Sequence, residues 1–404
     1  MNYLNKKDNQ ILIIGISIFL FFLFLSGSQR EKKPNVDCAI TQDSIFFCEL
    51  SQNIQGNINI MVEASRTLRG KSLPSDLAQD IVGYRALAMR NNAYPVLGTE
   101  YLKMGLNWNL NHESTHPPTA FLLVAPIAFL PWELSSAIWA WAMLILVLIS
   151  LRFYGFTWKA SIGLTPIIIL WPPIAKSLEQ LTVIWLFAAI ASYQLEKKHQ
   201  IWSGVLVGIA TITKIFPALL ILSFLAKRKW KALISFSLTA SLFVGAVFVI
   251  HPEAFSQYLD VNTTNSIRMI LRPDNAALLI NSLRWGGWIG TTIVSTLFIA
   301  VIWRNKQSFY EPLLSLSSRF WTLLNYFSIA LLPVLWTFSL APLLPIIMGL
   351  ILEKKFTTTL IAITSSIIPL LLPAYGTPLT AAMVVFLVGV GLLLSQPTKD
   401  FTIS

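Results

Sequence analysis

Residues 197–231 read KKHQIWSGVLVGIATITKIFPALLILSFLAKRKWK. Two basic clusters, Lys197-Lys198 and Lys227 to Lys231, bracket a largely apolar stretch long enough for a single bilayer crossing. One crossing would put the clusters on opposite faces. Short basic loops collect on the cytoplasmic side, so the charge pattern asks for both clusters inside. This is met if 201–213 rises, the chain turns at Lys214-Ile215-Phe216-Pro217, and 216–226 returns. Each half is then short for a full span. A lysine at such a turn, near the outer surface and beside a cavity, avoids the roughly 2.5–3.5 kcal/mol that a charge costs at mid-bilayer.

The rest of the chain has the same character. Of its 404 residues 55% are hydrophobic and only 12% charged, with mean hydropathy +0.64, whereas about a quarter of an ordinary soluble protein is charged. The apolar residues form long blocks such as ILIIGISIFLFFLFL (11–25) and TAAMVVFLVGVGLLL (380–394), without the alternation of an outer-membrane barrel. A polytopic helical membrane protein remains, because helices satisfy their own backbone hydrogen bonds in hydrocarbon. The net charge of +11 follows the same topology. Sixteen of the 30 basic residues fall in short clusters expected inside, while the segments expected outside balance 12 basic against 12 acidic residues. The charge excess is therefore an orientation signal and does not point to nucleic acid.

The expected organisation is a first transmembrane helix (1–26), an extracytoplasmic loop (27–116), a transmembrane module (117–250), a second extracytoplasmic loop (251–285) and C-terminal transmembrane helices (286–404). Lys6 and Lys7 before an apolar core also fit a signal peptide, but no clear small-residue cleavage pair follows and further spans do, which favours an uncleaved helix. The stretch 117–151 is ambiguous, with two apolar pieces split at Pro131-Trp132-Glu133. From 286 onward the pattern is regular, and the total comes to about twelve membrane helices. Cys38 and Cys48 both lie in the first loop; they are either two thiols or, in an oxidising exterior, a bridge closing a small loop.

Within the first loop, the run from Pro74 to Ala88 reads as a helix with Leu77, Ile81 and Ala88 on an apolar face suited to the membrane surface. Asp76, Asp80 and Tyr84 follow at intervals of four and share another face. Early aspartates also favour the helix dipole, so this alignment alone does not make a site. His116-Pro117-Pro118 marks re-entry into the membrane, since paired prolines suit an extended approach and a first helical turn. Glu179, Gln180 and Thr182 begin a descending helix on the outer side. Arg268, Arg272 and Arg284 accompany the second loop, where they are equally suited to lipid phosphates. The histidines are scattered without ligand spacing, and no nucleotide-binding glycine loop occurs, so neither metal nor cofactor is expected.

In order, QDIVGYRALAMRNNAYPVLG (79–98), HPPTAFLLVAPIAFLPW (116–132), the stretch from Glu179 to Leu222, NAALLINSLRW (275–285) and LLPVLWTFSLAPLLP (331–345) resemble the GT-C superfamily of integral membrane glycosyltransferases. The resemblance is closest to the polyprenol-phosphate-mannose-dependent type of glycosyltransferase family 87. Glu179, Thr182 and Phe338 depart from the residues usual in that family, Phe338 standing where histidine often follows the tryptophan.

The resemblance implies transfer of a hexose such as mannose from a polyprenyl-phosphate donor to a hydroxyl of a lipid or glycan acceptor. It places the reaction at the outer face of a bacterial cytoplasmic membrane, with inversion at the anomeric carbon. A phosphate departs as an anion without needing a proton, so a single base suffices. Asp80 is the candidate base. Lys214, His116, Arg268, Arg272 and Arg284 are candidates for the departing phosphate, Tyr84 and Trp108 for the sugar, and Gln180 for substrate binding. Two other classes remain open: a polysaccharide ligase or polymerase using a lipid pyrophosphate carrier, and a transporter of lipid-linked sugars.

Overall fold

A computed structural model describes residues 2–25, 59–71, 76–106, 113–271, 277–305, 318–332, 337–352, 355–371 and 378–395. Cys38, Cys48, Trp108 and Arg272 lie outside the described residues, as does the expected helix start at Pro74 and Ser75. The described residues hold helices and turns. The helices are α1 (Asn2–Leu25), α2 (59–68), α3 (Asp76–Ala88), α4 (Leu97–Lys103), α5 (Pro118–Phe121), α6 (Trp132–Tyr154), α7 (Trp158–Ile169), α8 (Pro172–Ser177) and α9 (Thr182–Glu196). There follow α10 (Gln200–Thr213), α11 (Ile221–Ala226), α12 (Trp230–Ile250), α13 (Ala254–Leu271) and α14 (Leu278–Arg304). The last four are α15 (Ser318–Ala330), α16 (Leu344–Leu352), α17 (Phe356–Leu371) and α18 (Pro378–Leu394).

Three helical stretches among the described residues are long and apolar enough to cross a membrane: Trp132–Tyr154, Trp230–Ile250 and Gly286–Arg304. Shorter apolar helices of 10–17 residues accompany them. Length alone therefore does not establish the expected twelve spans. Much of the surface of α12 carries exposed Ile234, Leu238, Leu242 and Val249, as suits a face toward lipid.

The stretch around Lys214 folds as its charges require. Helix α10 stops at Thr213, Lys214 is extended (φ −150°, ψ 130°), and a 3-10 turn over Phe216–Leu220 leads into α11. Lys227 Nζ then lies 2.9 Å from Glu196 Oε2, joining the end of α11 to the end of α9. The chain has gone out and come back. At Gly204, α10 packs so closely on α12 that an added Cβ would sit 2.1 Å from the Ala232 carbonyl oxygen.

The ambiguous stretch 117–151 contains one membrane-length helix, α6, preceded by a broken piece. Pro118 starts α5, which gives way to a 3-10 turn over Leu122–Val124 and further turns before Pro131. This broken piece supports α3. Leu77, Ala78, Ile81 and Val82 are buried in the protein core, so the apolar side of α3 meets protein, where the sequence pattern anticipated the membrane surface. Ala88 is exposed and does not join that face. Arg85 fixes the helix, its Nε donating to the Ala128 carbonyl at 2.6 Å and its Nη2 to Leu130 at 3.3 Å.

The segment expected as a second polar loop is largely helical, as α13 and the start of α14. Its beginning docks on the turn after α3. The His251 Nε2 lies 2.6 Å from the Asn91 carbonyl, and the Gln257 side-chain carbonyl accepts from Ala93 N at 2.9 Å.

Candidate active site

Asp80 and His116 are far apart in sequence and meet at 2.7 Å, Oδ1 to Nδ1. Asp80 is 1% exposed. Helix α3 presents it, and Arg85, one turn and a residue further on, holds that helix against residues 128–130. His116 is fixed through its backbone. Its N–H donates to the Ser114 hydroxyl at 3.3 Å, and its carbonyl accepts from the Tyr94 hydroxyl at 2.9 Å. Tyr94 in turn packs on Phe121 and Tyr258, with ring centroids 5.5 and 5.8 Å away. The first residues of α13 thereby brace the histidine from the far side.

Burial pushes the Asp80 carboxyl above its ordinary value, opposed by the neighbouring His116 and by the positive charge of Lys214. Burial alone would lower the His116 imidazole, but the charge and hydrogen bond of Asp80 prevail and raise it. The pair holds a proton tightly between two groups that can each accept one. When Asp80 is ionised, the Nδ1–H of His116 donates to it.

Lys214 completes one side. It donates to the Thr182 hydroxyl at 3.1 Å and lies near enough to Asp76 and Asp80 to feel their charge. Burial lowers its ammonium to about 8. The extended backbone at the break between α10 and the 3-10 turn sets where this lysine emerges. Asp76 accepts from Gln79 Nε2 at 3.0 Å.

The turn between α8 and α9 leads to Thr182, the hydrogen-bond partner of Lys214. The Thr67 hydroxyl of α2 donates to Glu179, and Gln180 is 8% exposed, its side-chain oxygen lacking a hydrogen-bond partner among the described residues. The indole N–H of Trp141 donates to the Leu68 carbonyl at 2.9 Å, so α2 is tied to α6 as well.

Sequence reasoning passed over Lys176, on α8. Burial lowers its ammonium to about 8, while Asp76 pulls the other way. Its signal was available: a lone lysine within LTPIIILWPPIAKSLEQLTVIW (164–185), where an ionisable group in an apolar stretch is a functional candidate by default. Tyr84 is half-buried, edge-on to Phe129 at 6.0 Å. Arg268 lies on α13 and Arg284 on α14. Asp80 and His116 are in contact, Lys214 is within electrostatic reach of both, and Tyr84 has a packing partner.

Residues 115–314 match the sequence model of Glycosyltransferase family 87. This is a glycosyltransferase family 87 region. It includes His116, Lys176, Gln180 and Lys214, and the His116 contact ties it to Asp80, which precedes it. No curated protein and no solved structure matches the chain. The match over this region indicates a glycosyltransferase and is consistent with the GT-C type, and the apolar helices suit a membrane protein. Among the described residues, no group of three or more His, Cys, Asp or Glu side chains is arranged to hold a metal ion.

Proposed function

We propose that the protein is an inverting hexosyltransferase. It takes a sugar, with mannose the candidate, from a polyprenyl-phosphate donor at the outer face of a bacterial cytoplasmic membrane and passes it to a hydroxyl of a lipid or glycan acceptor. The observation that carries this reading is the buried Asp80–His116 pair at 2.7 Å, with the Lys214 ammonium within its electrostatic reach. An acid–base pair and a cation together meet the two needs of the reaction.

Asp80 takes the proton of the acceptor hydroxyl as that oxygen bonds to the anomeric carbon from the face opposite the phosphate. The bond from the anomeric carbon to the phosphate oxygen breaks, and its electron pair leaves with the phosphate. Charge that grows on the phosphate is met by Lys214, held in place by Thr182. His116 orients the Asp80 carboxylate and stabilises its ionised form before the proton arrives. Arg268, Arg272 and Arg284 of the second outer segment serve the donor headgroup, and Gln180 serves a sugar hydroxyl. Membrane lipids surround the helices and present the donor.

Purified protein in nanodiscs, given a radiolabelled polyprenyl-phosphate hexose and a glycolipid extract, tests the reading. Label moving from donor to acceptor with the opposite anomeric configuration is the expected result. A donor that is bound or translocated without cleavage would reject it in favour of transport, and cleavage only of lipid pyrophosphate donors would favour a ligase.

A further inference from the structure

We propose that a cleft near the basic end of α9 binds one anionic phospholipid, with its acyl chain between α6, α9, α15 and α16 and its phosphate at Lys197. The walls include Tyr154 of α6, Ile190 and Tyr193 of α9, Trp321 and Asn325 of α15 and Ile346 of α16. They enclose about 460 Å³ of atom-free space, part of it open, on the scale of small-ligand sites. The polar ends of two wall rings are engaged by backbone: Trp321 Nε1 donates to the Ala189 carbonyl at 2.6 Å and the Tyr154 hydroxyl to Pro345 at 3.1 Å. The Asn325 amide donates to the Pro342 carbonyl at 2.7 Å. What the cleft offers is therefore mostly carbon. It is separate from the Asp80 site, since Tyr193 lies about 16 Å along α9 from Thr182 at the rise of an α-helix.

The same end of the molecule carries the signs of a lipid headgroup layer. Trp158, Trp202 and Trp230 are each more than half exposed, and each lies within one helical turn in sequence of Lys159, Lys198 or Lys229. Exposed indoles beside basic residues are the pattern of a membrane–water interface. Lys197 follows Tyr193 by one turn, exposed, with its Nζ 6.0 Å from the centre of the Tyr193 ring that walls the cleft. Lys227 approaches the same ring at 5.8 Å but is buried and bonded to Glu196. Lys197 is thus the exposed cation at this wall. An acyl chain entering the cleft exchanges one apolar setting for another, so the walls alone select weakly and the headgroup charge decides which lipid stays. A polyprenyl tail reaching across from the Asp80 site would bring no charge to Lys197.

A phosphatidylglycerol carrying a diazirine at its chain end, at low mole fraction in phosphatidylcholine nanodiscs around the full-length protein, tests this beside the matching phosphatidylcholine probe. Photolysis is expected to label Ile190, Trp321 or Ile346, with the glycerol probe ahead by roughly fivefold, about what one lysine contributes near an anionic headgroup. Lys197→Gln is expected to bring the two probes level, whereas Lys197→Arg keeps the difference. Ala189→Leu narrows the cleft and should reduce labelling by both; unfolding temperature shows which variants are intact, and the exposed Lys197 reports even where the cleft variant does not fold. Equal labelling by the two probes in wild type, or a folded Lys197→Gln that keeps the difference, would overturn the headgroup contact. Labelling confined to residues outside the cleft would overturn the site itself. Polyprenyl phosphate that competes the label away where unlabelled phosphatidylglycerol does not would give the cleft to a donor tail instead.

Discussion

Glu196 and Lys227 form a buried ion pair, Oε2 to Nζ at 2.9 Å, with both side chains almost wholly enclosed. The other Glu196 carboxylate oxygen has no hydrogen-bond partner among the described residues. Removing one member leaves an uncompensated charge among helices, which costs roughly 3–5 kcal/mol. Lys227→Met and Glu196→Leu should each lower the unfolding temperature in detergent strongly, and the double variant should recover much of the loss. Equal destabilisation in single and double variants would show that the pair does not act as a unit.

Asp80→Asn keeps the size of the side chain and removes its capacity to take a proton. Transfer is expected to fall by about 10²- to 10⁴-fold, the contribution of a positioned general base, with donor affinity preserved. Undiminished turnover in this variant would remove Asp80 from the chemistry.

The pH profile should carry the Asp80–His116 contact on its acid side. Burial raises the Asp80 carboxyl, and the proposed mechanism needs it ionised, so activity should be lost as pH falls through a value above the ordinary carboxylate range. His116 works in the lowering direction, so His116→Ala should shift this limb to higher pH. A limb that stays in place after His116 is removed would contradict the coupling.

On the basic side, Lys214 is lowered to about 8. In the proposed mechanism its charged form meets the phosphate, so transfer should decline as pH rises through about 8. In Lys214→Arg the guanidinium remains charged, and this variant's activity, though reduced by altered geometry, should no longer decline there.

Gly83 places α3 against the Phe121 ring: an added Cβ would lie 2.5 Å from it, and Phe121 is fully buried and has little room to yield. Gly83→Ala should cost about 1–3 kcal/mol of stability through overpacking and reduce transfer by displacing Asp80. Phe121→Leu in the same chain should restore part of both, which thermal unfolding and the transfer assay together would show.

Some of this was legible in the sequence. The turn at Lys214 follows from two basic clusters that both prefer the inner face, and α3 follows from apolar spacing, starting at Asp76 and ending at Ala88. What α3 packs against did not follow, because periodicity shows that a face is apolar without naming its partner. Residues 118–124 cover it, and their broken helical path comes from prolines and tight turns whose combined direction no local pattern gives. Asp80 and His116 were each singled out, Asp80 as base and His116 for the phosphate. Their contact was invisible because it joins segments across a long loop. Lys176 was passed over since attention went to basic residues in clusters, and a lone lysine among apolar neighbours gives no orientation signal.

In the proposed reaction, the near-complete enclosure of Asp80 bears on economy of the lipid carrier. A carboxylate in open solvent would activate whichever hydroxyl arrived first, and solvent molecules vastly outnumber any acceptor. With 1% of its surface accessible, this base is shielded from bulk solvent, and a seated acceptor has the advantage. On the proposed reaction, a lipid-linked donor would then escape futile hydrolysis, so synthesis would stall reversibly when acceptor runs short and resume with its sugar supply intact.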